Sequence, residues 1–85
     1  MDIDGAKRII EETDAFAGNG EKNVVMRGLQ ILAKYKEDVI PEFGHDIILV
    51  SDFEKTVRQM QEEEVIQMAK LGWFCREEND YWAHF

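Results

Sequence analysis

The chain has 85 residues, a net charge of −8 from eighteen acids against ten bases, one proline and one cysteine. That length suits a single domain over 1–85, and a hydrophobic content of 45% argues against a disordered chain. The single cysteine excludes an internal disulfide. Scattered Lys and Arg argue against direct nucleic-acid or anionic-membrane binding, and no apolar run approaches the roughly 20 residues that span a bilayer.

The elements follow in chain order. Ile3, Ala6, Ile10, Thr13 and Ala17 recur at helical spacing, with Ile9 and Phe16 widening the stripe, and predict a helix over 3–17. Asp2 and Asp4 suit the positive end of its dipole, and Gly18 and Gly20 can take the left-handed conformation that ends it. A second helix is predicted over 21–39. Val25, Leu29, Leu32, Lys36 and Val39 run down one side, flanked by Val24, Gly28, Ile31 and Tyr35. A mid-helix glycine costs about 1 kcal/mol relative to alanine, so close approach of the first helix is expected at Gly28. Pro41 is expected to end this helix, because it cannot donate to the ladder and disfavours helical backbone at Ile40.

"DIILV" at 46–50 reads as a buried strand, four successive aliphatics bounded by turn residues. Ser51 and Glu54 have capping-box spacing at the head of a helix over 52–71. Phe53, Val57, Met60, Met68 and Leu71 form its stripe, and Glu64 is the misfit. A second phase through Val65, Met68, Ala69 and Gly72 leaves two readings, one long helix or two broken near Gln61. Lys70 and Gly72 suit its end. "WFCRE" and "YWAHF" predict strands at 73–77 and 81–85, joined through "END". The expected fold is α+β in the order ααβαββ, with a three-stranded antiparallel sheet packed on helices.

Alternation on the hairpin puts Trp73, Cys75, Trp82 and His84 on one face and Phe74, Tyr81, Ala83 and Phe85 on the other. Helices can cover one face; the second asks for further cover, from a partner or a homodimer. A two-residue turn at Asn79–Asp80 would set Cys75 opposite His84, the beginnings of a zinc site or a nucleophile–base pair. His45 and Asp46 would complete a site only by folding back, and the chain has neither CxxC nor HxxxH. A buried thiol and an edge histidine are the expectation, with no catalytic, cofactor or metal residue assigned. "GNGEKN" follows a helix and lacks the hydroxyl of a phosphate loop. Acids gather at Glu62, Glu63 and Glu64, at Glu77, Glu78 and Asp80, and at Glu37, Asp38, Glu42 and Asp46. The first two groups, with Tyr81 as the available aromatic, are the expected partner-binding set.

The C-terminal half, through His45, Asp46, Leu71, Gly72, Trp73, Glu78, Trp82 and Phe85, resembles small acidic phage and prophage accessory proteins. In those, "HD" leads a strand, an acidic helix ends in Leu-Gly-Trp or a similar triplet, and an aromatic hairpin closes the chain. The resemblance implies a phage accessory protein, a class that includes stoichiometric inhibitors of host defence such as anti-CRISPR proteins. It assigns no residue a role. The expected function is a non-enzymatic inhibitor in the host cytoplasm, occupying a basic or nucleic-acid-binding surface of a host protein or nucleoprotein complex. The alternatives are a small oligomeric sponge for a signalling nucleotide and an interaction module without inhibitory activity. The sponge needs convergent Lys or Arg, and few stand close in this chain.

Overall fold

Asp2 opens the first helix as its cap, accepting from the Gly5 amide at 3.2 Å and so satisfying one of the free N–H groups of the first turn. The chain then runs α1 (Ile3–Glu12), α2 (Val24–Leu32), β1 (Glu42–Gly44), β2 (Ile47–Ser51), α3 (Phe53–Gln59), α4 (Glu62–Lys70), β3 (Phe74–Arg76) and β4 (Tyr81–His84). The computed structural model describes residues 1–14, 23–37, 39, 41–44 and 47–85.

The α+β class holds, with two corrections. Among the described residues the sheet has four antiparallel strands in the order β1-β2-β4-β3, and the element order is ααββααββ. The extra strand, β1, was illegible because all three of its residues are exposed and carry no apolar alternation.

The predicted stripe of α1 is the one that packs: Ala6 is fully buried, and Ile3, Ile9 and Ile10 lie against the core. The helix stops at Glu12, with the Thr13 amide on the Ile9 carbonyl at 3.0 Å. The predicted glycine ending and the "GNGEKN" loop fall within 15–22, outside the described residues save for Asn23. α2 ends at Leu32, well before Pro41, so the proline is not what stops it. The amides of Lys34 and Tyr35 turn back to the Ile31 and Leu32 carbonyls at 3.2 and 3.0 Å, the tight geometry of a final helical turn.

The 52–71 segment is two helices. Met60 and Gln61 are both extended, with ψ of 153° each, and separate α3 from α4. The misfit Glu64 now has its reason: it is the third residue of α4, and its Oε1 accepts from the Gln61 amide at 2.9 Å. Ser51 is the last residue of β2, and the cap position of α3 is Asp52, not Ser51. The cap comes from elsewhere in the chain, as described below. The Gly72 ending is as expected. Gly72 has φ +93°, its amide meets Ala69 O and the Trp73 amide meets Met68 O, both at 3.0 Å.

That turn delivers Trp73 into the core. Its indole N–H donates to the Val24 carbonyl at 3.2 Å, and its ring lies over Gly28. A Cβ at Gly28 would stand 2.5 Å from Trp73 Cε2. The close approach expected at Gly28 is therefore made by Trp73, not by α1. Trp82 lies beside Phe53 with ring centres 4.6 Å apart, and its indole N–H donates to the buried Thr56 hydroxyl at 2.9 Å.

In the hairpin Cys75 pairs with Trp82, Phe74 with Ala83 and Arg76 with Tyr81. This register lies two residues from the one expected, so the predicted faces survive. Val50 and Trp82 face the helices, while Leu49, Ala83 and Phe74 lie on the opposite face, where Phe74 stacks on Phe85 at 5.2 Å.

Candidate protein-binding surface

The acidic residues fall into two classes. Glu62 and Glu63 are exposed in the first turn of α4, where negative charge suits the helix dipole. Glu77 and Glu78 are exposed in the β3–β4 turn, where Lys7 reaches Glu77 at 3.6 Å and Arg76 reaches Glu78 at 3.8 Å. Exposed pairs of this kind contribute roughly 0–1 kcal/mol, so both glutamates keep their charge towards solvent.

Glu64 and Asp80 belong to the second class, engaged inside the fold. The Glu64 carboxylate takes the Tyr35 hydroxyl, the Gln61 amide and, at 3.5 Å, the Lys34 ammonium. Burial pushes its pKa up, but these donors outweigh burial and hold it below the usual glutamate range. Tyr35 is raised, chiefly by its bond to Glu64, then by burial and the adjacent charge. Asp80 has φ 55°, in the left-handed region. Its carbonyl accepts from the Phe53 amide at 2.8 Å and its Oδ1 from the Glu54 amide at 3.0 Å. Helix N-termini leave such amides without intrahelical partners, and a carboxylate there is favoured by the dipole. Asp80 is thus the cap of α3, supplied by the hairpin.

Tyr81 is half-buried between Ser51 and Arg76 in the sheet. Two other aromatics are more exposed: Phe43 at 76%, which the sequence reading did not single out, and Phe85 at 81%, which it placed on the hairpin face needing cover. They border an apolar opening of about 590 Å³, lined also by Gly44, Ile47 and Ile48. Phe43 did not stand out in the sequence, because it lies outside every strand predicted there. Of the third acidic cluster, Glu37 and Glu42 are exposed, while Asp38 and Asp46 lie outside the described residues.

Cys75 does not face His84. Burial pushes its thiol up, Lys7 lowers it, and Glu77, Asp80 and Glu54 raise it further, so the thiolate is disfavoured. His84 sits opposite Ile48, with Nε2 2.8 Å from the Leu71 carbonyl and Nδ1 2.6 Å from that of Phe85. His45 and Asp46 lie outside the described residues. Among the described residues no group of three His, Cys, Asp or Glu side chains is placed to hold a metal, and no helix is long and apolar enough to cross a membrane.

No family model matches the chain, and neither a curated protein nor a solved structure does.

Proposed function

We propose that this chain acts by binding, occupying a basic surface on a protein or nucleoprotein partner without chemistry of its own. The observation that supports this reading is the division among its acids. Glu64 and Asp80 are consumed by the fold, whereas Glu62, Glu63, Glu77 and Glu78 remain exposed on elements that the fold holds in place. Charge presented from fixed elements accelerates encounter with a basic partner and imposes salt sensitivity on the association rate. The resemblance to phage accessory proteins is what supports a host defence complex as the partner and the host cytoplasm as the setting. The nucleotide sponge has weaker support. Lys36 and Lys55 line a polar opening of about 370 Å³, but Glu37 and Asp52 line it too and would repel phosphate.

The test is affinity capture from host lysate, followed by association kinetics of the captured partner with two double variants, Glu62→Gln/Glu63→Gln and Glu77→Gln/Glu78→Gln. Neutral replacements spare the α4 dipole the cost of a cation. The expected result is slower association with a flatter salt dependence, with thermal stability at most slightly lowered by loss of the carboxylates from the first turn of α4 and of the exposed ion pairs. Unchanged rates at low salt in both variants would refute the reading.

A further inference from the structure

The opening beside Phe43 and Phe85 differs from the acidic surfaces in that, among the described residues, no charged side chain lines it. Phe43 pairs with Ile48 across β1 and β2, and Ile48 with His84 across β2 and β4, so this corner is built where three strands of one sheet end. It is therefore an apolar surface carried by the ends of paired strands. Two exposed phenylalanines at one corner are the kind of residue that anchors interfaces, since aromatics bury large area at small entropic loss.

Charge decides what fits there. A second copy of the chain would bring −8 against −8, and an anionic lipid surface or a nucleic acid would meet the same repulsion. Glu42, exposed on β1 next to Phe43, adds negative charge at the rim. We infer that this corner is the anchor for the partner of the proposed function, and that it receives a short apolar segment of a protein flanked by Lys or Arg. The inference rests on that reading and names the part of the surface that sets residence time. Steering by the glutamates acts on association; burial of Phe43 and Phe85 acts on dissociation.

The test uses the full chain and synthetic octapeptides with four apolar residues flanked by paired lysines, against the same peptides flanked by glutamates. Amide chemical shifts report the site. The expected outcome is that the lysine-flanked peptides perturb residues 43–44, 47–48 and 85, with the glutamate-flanked ones about tenfold weaker. Phe43→Ser and Phe85→Ser should each weaken binding by about tenfold through faster dissociation; Phe43→Ser should leave the melting temperature unchanged, since its side chain is exposed, while Phe85→Ser also loses the stack on Phe74 and is expected to lower it slightly. Shifts confined to 62–63 and 77–78, with no effect of Phe43→Ser, would sink the corner while leaving binding through the acids intact. Failure of the lysine-flanked peptides to bind at all, coupled with no effect of the glutamate variants on the captured partner, would sink both. Equal binding of the two peptide sets would overturn the charge argument. So would self-association in sedimentation that Phe43→Ser abolishes, or binding to neutral phosphatidylcholine vesicles that Phe43→Ser abolishes.

Discussion

Two residues carry roles that their types alone do not announce. Gly28 is the floor on which the Trp73 ring rests, and a Cβ there would meet Cε2 at 2.5 Å and Cδ1 at 2.8 Å. Alanine would gain about 1 kcal/mol of helix propensity, yet inserting a carbon into a packed contact costs about 1–3 kcal/mol. The steric term should win, so Gly28→Ala is expected to lower stability by up to about 2 kcal/mol in urea denaturation. A stabilised variant would mean that the indole has room to withdraw. Asp80 combines a left-handed backbone with a capping carboxylate. Asparagine keeps an acceptor and tolerates that backbone; alanine does neither. Asp80→Ala should cost about 1–2 kcal/mol, and Asp80→Asn less than about 0.5 kcal/mol. Equal losses in the two variants would show that the cap contributes nothing.

Between elements, the Tyr35–Glu64–Lys34 group ties the end of α2 to the start of α4, and it makes stability depend on pH at both ends. The folded pKa of Glu64 lies below its unfolded value. Its contribution is therefore present above the unfolded pKa and is lost as pH falls through the folded one. Tyr35 is raised, so its contribution is present below the unfolded pKa and is lost as pH rises through the folded one. Glu64→Gln should cost about 1–2 kcal/mol at neutral pH and flatten the acid side of the stability profile; Tyr35→Phe should flatten the alkaline side. Urea midpoints across pH check both, and an acid limb unchanged in Glu64→Gln would exclude this group as its source. Glu64 also shows what a sequence can hint at: as a misfit in the apolar stripe it marked the place where one helix becomes two. The hairpin faces were legible because alternation has a period of two, and a register shift of two residues leaves every side chain on its face. The cap of α3 was not legible, because the capping aspartate comes from 26 residues further along the chain. Local pattern offered Ser51 in its place, at the right spacing and in the wrong element.

For the molecule as a whole, the acidic surface was legible as composition but not as a division. Which glutamates face solvent and which are consumed depends on tertiary partners that no spacing encodes, and so does the exposure of Phe43 and Phe85. The strand order has a further consequence, for the path by which the fold is acquired. β4 follows every other strand in the chain but lies between β2 and β3, and it is Asp80, at its threshold, that completes α3. Until that segment arrives, β2 lacks one of its two neighbours, β3 lacks its only one, and a seven-residue helix has uncapped amides. Helices so short are marginal alone. Early segments must therefore wait for late ones, and assembly should be all-or-none rather than stepwise. Hydrogen exchange reads this directly. The amides of Phe53 and Glu54 should exchange as slowly as those of Val50 and Trp82, through global opening alone, instead of fraying as helix ends do. Faster exchange at 53 and 54 than in the sheet would mean that the hairpin tip releases α3 while the rest of the fold stands.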